Sequence, residues 1–233
     1  MEDLIKKLKK TLPTYTLTQP STGKIISFRP MTVKEEKILL MSNQTGNNED
    51  FLATIADVVE RCFDVSDGKA IPLFDVEYFF LKLRSKSIGE TVTPTLICPE
   101  TGESVSISVN LEDVTPKLSK SHTKNIVLSS GLSIEMRYPN VQDLLDMKDV
   151  EFNYYDMLIK CITKIESDNE LIETKNYNSE LIQEFVDNLT KDQFQNLLNF
   201  FKTSPKIEIE VPYTTMDGVE RTITLKGIRD FFQ

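Results

Sequence analysis

The feature that most constrains this chain is repetition: one pattern, hairpin then helices then hairpin, can be read twice along 233 residues. The first version opens at Tyr15–Pro30, where two strand-like runs flank a Pro20-Ser-Thr-Gly23 turn, and the second at Ile126–Pro139, where two runs flank Gly131. Each hairpin closes on a proline, which sets Pro30 opposite Pro139, and a helix start follows. Thr32-Val-Lys-Glu35 has the form of a capping box, and Asn140 is a good N-cap ahead of Val141, Leu144 and Leu145. An apolar helix comes next in each version, 51–63 and 154–165. Each carries one cysteine near its end, Cys62 and Cys161, and leads into an acidic loop, 64–68 and 166–170. Helical spacing of large apolar residues recurs over 75–83 and 190–201, the second preceded by an extra helix at 179–189. Both versions end in a hairpin, 95–109 and 207–225, with Gly102 and Gly218 in matching turns. Val105, Ile107 and Val109 alternate with serines, the period of a half-buried strand.

This pattern predicts an α+β fold of two duplicated halves, with helices packed on small antiparallel hairpins. The expected boundaries are an amphipathic N-terminal helix over 1–12, a first half over 13–115, a polar linker over 116–125 and a second half over 126–233.

The bulk properties exclude several classes of function. A net charge of -9 repels phosphate backbones, so nucleic acid is not an expected partner. No apolar run approaches the roughly 20 residues of a membrane-spanning helix, and the first residues lack the apolar core of a signal peptide. Three cysteines give no even, closely spaced framework, so free thiols in a reducing compartment are expected.

Little in the chain resembles catalytic chemistry. His122 is the sole histidine and falls in the expected linker. Cys62 and Cys161 sit on apolar helix faces, where a thiol behaves as a small hydrophobe. Cys98-Pro-Glu-Thr-Gly102 has the outline of a zinc knuckle, Cys-x-x-Cys-Gly, with Thr101 in place of the second thiolate. The matching turn, Thr214-Thr-Met-Asp-Gly218, has no cysteine. Structural zinc takes four Cys or His ligands, so no metal is expected. Asp64, Ser66 and Asp67 before Gly68 are out of phase with a calcium loop and lack its closing glutamate. No phosphate-binding glycine loop occurs. The expectation is therefore no catalytic residue, no cofactor and no small-molecule substrate. The alternative, a cell-wall-degrading hydrolase, would need a carboxylate pair or metal site that no motif supplies.

The candidate contacts are with other proteins. Leu4, Ile5 and Leu8 line one face of a short basic amphipathic stretch that fits a solvated or self-packed terminal helix, docking on an acidic partner, or, least of the three, a membrane surface. The turn residues Ser21, Thr22, Glu100, Thr101, Met216 and Asp217 are further candidates. So are Phe231 and Phe232, two aromatics near the end of the chain that fit either the core or an interface.

The run Phe28-Arg-Pro-Met-Thr-Val-Lys-Glu-Glu-Lys-Ile-Leu-Leu40 resembles the opening of the baseplate hub subunit family of T-even-type contractile-tailed phages. Leu189-Thr-Lys-Asp-Gln-Phe194, Phe200-Phe-Lys-Thr-Ser-Pro205 and Leu225-Lys-Gly-Ile-Arg-Asp-Phe-Phe232 extend the likeness from about Leu12 to the end. The resemblance implies a hub subunit or hub assembly factor. It would act through other tail and baseplate hub proteins, first in the host cytoplasm and then in the virion's tail baseplate. It brings no catalytic residues. Members often carry Cys-x-x-Cys knuckles in these hairpins, a pattern from which Thr101 and the 214–218 turn depart.

Overall fold

The computed structural model describes all residues except 2, 5, 6, 9, 10, 45–47, 130, 148–153, 169, 217, 232 and 233, and the side chains of residues 43 and 48. Helices and small antiparallel sheets make an α+β chain that divides into two compact units. The first is discontinuous, Met1–Lys117 with Lys206–Gln233; the second is Leu118–Pro205. This differs from the sequence-order halves expected above. The C-terminal hairpin belongs to the first unit, and the stretch read as a linker divides between both. Pairing shows why: Pro116–Lys117 is a short strand whose Pro116 and Lys117 pair with Ile207 and Lys206. The chain thus leaves the first unit and re-enters it on neighbouring antiparallel strands, where an insertion costs the host least.

In the first unit, β1 (Tyr15–Thr18) pairs with β2 (Ile25–Phe28). Three helices follow: α1 (Val33–Gln44), α2 (Asn48–Cys62) and α3 (Leu73–Ser87). Then come β3 (Thr91–Val92), β4 (Thr95–Ile97), β5 (Ser104–Ser106), β6 (Val109–Asn110) and β7 (Pro116–Lys117). β4 pairs with β5 and β3 with β6. The core is an aromatic file, with Phe28 stacked on Phe63 and Phe63 on Phe79, both at 4.7 Å. Ile55, Val59, Leu81 and Leu83 from α2 and α3 are fully buried in the same core. Asp75, also fully buried, accepts from the Gln19 side chain at 2.7 Å and from the Ser21 amide and hydroxyl, which fastens the β1–β2 turn to α3.

The acidic loop after α2 has a structural reason for its glycine. A Cβ on Gly68 would lie 2.2 Å from the Ala56 carbonyl oxygen, and the Gly68 amide donates to Glu60 on α2. Only a residue without a side chain lets the loop lie against the helix backbone.

In the second unit, β8 (Asn125–Ser129) and β9 (Leu132–Met136) form the expected hairpin, followed by α4 (Val141–Asp146) and α5 (Tyr154–Cys161). The helix expected over 154–165 ends at Cys161. Ile162–Ser167 is β10, paired with β9 on one side and with β11 (Glu170–Glu173) on the other. β-Branched Ile162, Thr163 and Ile165 overrode the helical reading, and the 166–170 loop became a hairpin turn. α6 (Ser179–Asp187) and α7 (Lys191–Thr203) begin at the N-caps Asn178 and Thr190, the latter in a complete capping box. The C-terminal hairpin of the first unit is β12 (Lys206–Thr214) with β13 (Glu220–Lys226).

An arginine clasp ties hairpin to helices in each unit. In the first, the Arg29 amide donates to the Cys62 carbonyl at the end of α2, and its guanidinium reaches Glu35 on α1 at 3.0 Å and the Pro30 carbonyl at 3.0 Å. Glu35 also accepts from the Thr32 amide at 2.8 Å and from its hydroxyl, so the expected capping box closes through the carboxylate. In the second, the Arg137 amide donates to the Cys161 carbonyl, and its guanidinium grips Asp143 at 2.6 and 2.8 Å and the Tyr138 carbonyl at 3.2 Å. Asp143 accepts from the Asn140 amide in turn and completes a capping box. One sequence offset carries Arg29, Thr32 and Glu35 onto Arg137, Asn140 and Asp143. It pairs Pro30 with Tyr138, so Pro30 and Pro139 are not matching positions. The lone bridge Phe28–Phe63 likewise occupies the place of Met136–Ile162, where the second unit extends it into β10.

Burial alone would raise the Glu35 carboxyl, but hydrogen bonds from Arg29 and Thr32 overcome it and hold the group at about 2. A carboxyl depressed from 4.5 contributes stability that is complete above pH 4.5 and lost as pH falls toward 2. Glu35→Gln should cost about 2–4 kcal/mol at pH 7 and flatten the loss of stability below pH 4.5, read by urea unfolding across pH.

Glu77 on α3 behaves in the opposite sense. Enclosure pushes its carboxyl up to about 7, with the Ile228 amide donating to it at 3.3 Å. Because the folded group holds its proton more tightly, stability should fall as pH rises from 4.5 through 7. Glu77→Gln should remove that slope and raise Tm at pH 8.

Candidate interaction site at two adjoining hairpin turns

The two turns picked out as knuckle-like are neighbours in the first unit. The β4–β5 turn is closed by the Gly102 amide donating to the Cys98 carbonyl and the Cys98 amide to the Glu103 carbonyl, both at 2.8 Å. The β12–β13 turn is closed by the Thr215 amide and hydroxyl donating to the Val219 carbonyl, each at 3.0 Å. Gly102 and Gly218 sit at φ of 71° and 78°, the left-handed backbone that closes such turns most cheaply.

Three contacts join them. The Tyr213 hydroxyl donates to the Cys98 sulfur at 3.0 Å, the Met216 amide to the Glu103 carboxylate at 3.0 Å, and Arg221 pairs with Glu100 at 3.3 Å. Cys98, Tyr213 and Thr215 are buried beneath. Hydrogen bonds from Thr101 and Tyr213 hold the Cys98 thiol below its usual range, and the same contact with Cys98 pushes the Tyr213 hydroxyl up to about 12. Where a zinc knuckle would gather four thiolates, this pair of turns is joined by a phenol, an ion pair and an amide–carboxylate bond. Among the described residues, no three His, Cys, Asp or Glu side chains cluster as metal ligands would.

Above this polar seam the turn tips are apolar and exposed: Met216 at 91%, Ile97 at 72% and Val219 at 45%. Arg221 and Glu103 border them half-buried, and Glu100 and Thr101 lie open on the rim. An apolar centre with a charged rim is the build of a protein contact surface.

The structure treats the sequence candidates unevenly. Glu100, Thr101 and Met216 come together at this site; Asp217 lies outside the described residues. Ser21 is spent on Asp75, while Thr22 is exposed on a different turn and donates to the Gln19 side chain. Leu4 and Leu8 are exposed, and Ile5 is outside the description. Phe231, 1% exposed in a short 3-10 turn after β13, is a core residue and not a surface contact; Phe232 is not described. Tyr213, Arg221, Ile97 and Val219 were not singled out in the sequence. The matching glycines hinted that the turns were alike, but nothing local said that they touch.

His122 is no base beside a thiol. Thr203 and Tyr138 occupy its two ring nitrogens at 2.9 and 3.0 Å, and it packs against Tyr138 and Phe200 within the second unit. Burial and Lys124 lower its pKa. Burial pushes Cys62 and Cys161 up to about 11 and about 12, so neither is an activated nucleophile.

The two turns thus offer an apolar tip and a charged rim above the buried Cys98 thiol. The chain matches the T4 bacteriophage base plate protein family over residues 12–233, and it belongs to that family. No curated protein and no solved structure gives a significant match. Membership implies a structural role in the phage tail baseplate among other baseplate proteins. Among the described residues, no helix is long and apolar enough to cross a membrane.

All three cysteines are unpaired and buried. The native protein should therefore show no fast reaction with a thiol reagent, and three thiols should titrate in guanidinium. Tyr213→Phe removes a hydrogen bond that holds the Cys98 thiol down while its ring still covers the sulfur, so modification of Cys98 alone should slow further, read by mass spectrometry of the labelled peptides.

Proposed function

We propose that this chain is a subunit or assembly factor of the baseplate hub of a contractile tail, acting by protein contact and without catalysis. The observation that carries the reading is the pair of adjoining turns, which offers Ile97, Met216 and Val219 to a partner inside a rim of Glu100, Glu103 and Arg221. Large apolar side chains at that exposure are costly to leave in water unless something covers them. The thiols are buried and both His122 ring nitrogens are bonded, which favours contact over thiol- or histidine-based catalysis.

The same reading takes the chain as an internal duplication. The matched clasps at Arg29 and Arg137, with their caps and their bonds to Cys62 and Cys161, support it. The second copy then carries β10, β11 and α6 as additions, and its closing hairpin packs in the first unit, where it forms half of the proposed contact.

The test is complementation of a phage lacking this chain, followed by mass spectrometry of purified tails. Met216→Glu with Ile97→Asp should leave the fold and Tm nearly unchanged, because both side chains face water. It should lower yield of complete baseplates at least tenfold. Full yield would remove the turns as the contact. Recovery of the wild-type chain in tails at a fixed copy number would make it a subunit, and recovery only with hub precursors would make it an assembly factor.

A further inference from the structure

α1 is an unusual surface helix. Its inward side holds Glu35 in the clasp and Leu39 in the core. Its outward side exposes Val33 at 80% and Leu40 and Met41 at 60% each, on a stripe shared with Lys34 and Lys37. Positions 33, 37 and 40 follow the i, i+4, i+7 spacing of one helical face. Apolar residues thus run round α1, whereas those of α2, α5, α6 and α7 collect on one side. A helix built this way is covered on both sides when at work. In a chain of net charge -9, this stripe carries two lysines and no carboxylate: Glu35 points inward and Glu36 lies on the flank.

The second unit carries the complement. α6 buries Ile182 and Val186 and presents Glu180, Glu184 and Asp187 at i, i+4 and i+7, with Leu181, 50% exposed, beside them. Among the described residues, Lys34, Lys37, Glu180 and Glu184 have no ion-pair partners. Both helices are thus left with unsatisfied charge of opposite sign next to exposed leucine.

We propose that two copies of this chain associate through these faces, the basic apolar stripe of α1 on one copy receiving the acidic face of α6 on the other. Charge matching aligns the helices, and Val33, Leu40, Met41 and Leu181 lose their water. α6 is about 13 Å long, at roughly 1.5 Å per residue, so one such contact is small. A small contact with charged edges gives weak association that rises with concentration and falls with salt.

Sedimentation velocity of the full purified chain tests this, at low salt and concentrations up to about 0.5 mM, given the millimolar-to-micromolar range of small contacts. The expected result is a mass that climbs above the 26.7 kDa of the monomer. The double variants Lys34→Glu/Lys37→Glu and Glu180→Lys/Glu184→Lys should each weaken association at least tenfold with unchanged circular dichroism. Mixed together, they should associate again, because each then meets its opposite. A wild-type chain that stays monomeric throughout would leave the stripe to a different protein and overturn the proposal. Association that survives both charge reversals, or a mixture that stays monomeric, would overturn it as well.

Discussion

Everything in this structure leans on one kind of interaction, an arginine at the end of a hairpin that holds the first helix by its carboxylate and the second by its last carbonyl. A two-stranded hairpin has too little core to be stable alone. Arg29 offsets that weakness for β1–β2, and Arg137 braces the edge hairpin of the four-stranded β8–β11 sheet, each by placing the backbone amide on the end of one helix and the guanidinium on the start of another. The carboxylates that receive them also cap their own helices, so one group satisfies orphan donors at a helix start and neutralises the cation. Cys62 and Cys161 end the helices that meet the clasps. Their burial suits a small apolar residue packed against backbone.

From that frame follows the site. The first unit closes its sheet with a strand that lies beyond the whole second unit in sequence, and the hairpin carried back on it brings its turn against the β4–β5 turn. Two turns of similar shape, neither sufficient to bury its own apolar tip, become one surface. Polar contacts do the joining that thiolates do in a metal knuckle. The Cys98 thiol takes part as a hydrogen-bond acceptor.

Much of the local structure was legible in the residues. Glycines marked the turns, Asn140 and Thr190 marked helix starts, and period-two alternation marked the hairpins, because each of these is a short-range effect. What stayed hidden was non-local. Ile162–Ser167 reads as the tail of an apolar helix until β9 is known to run beside it. Pro116 and Lys117 read as linker because two residues carry no pattern; only their pairing with Ile207 and Lys206 makes them a strand. Of the candidate site, the sequence offered Glu100, Thr101 and Met216 as separate guesses. Tyr213 and Arg221, which join the turns, had no local signature.

The most direct test of the account is a pair of double-mutant cycles on unfolding free energy, Arg29→Met with Glu35→Gln and Arg137→Met with Asp143→Asn. If the clasps are equivalent devices that hold their units together, each pair should couple by about 1–3 kcal/mol, with similar values in both. Single-mutant effects that simply add in either unit would contradict it, since the arginine and carboxylate would then be neighbours without being the joint on which the fold depends.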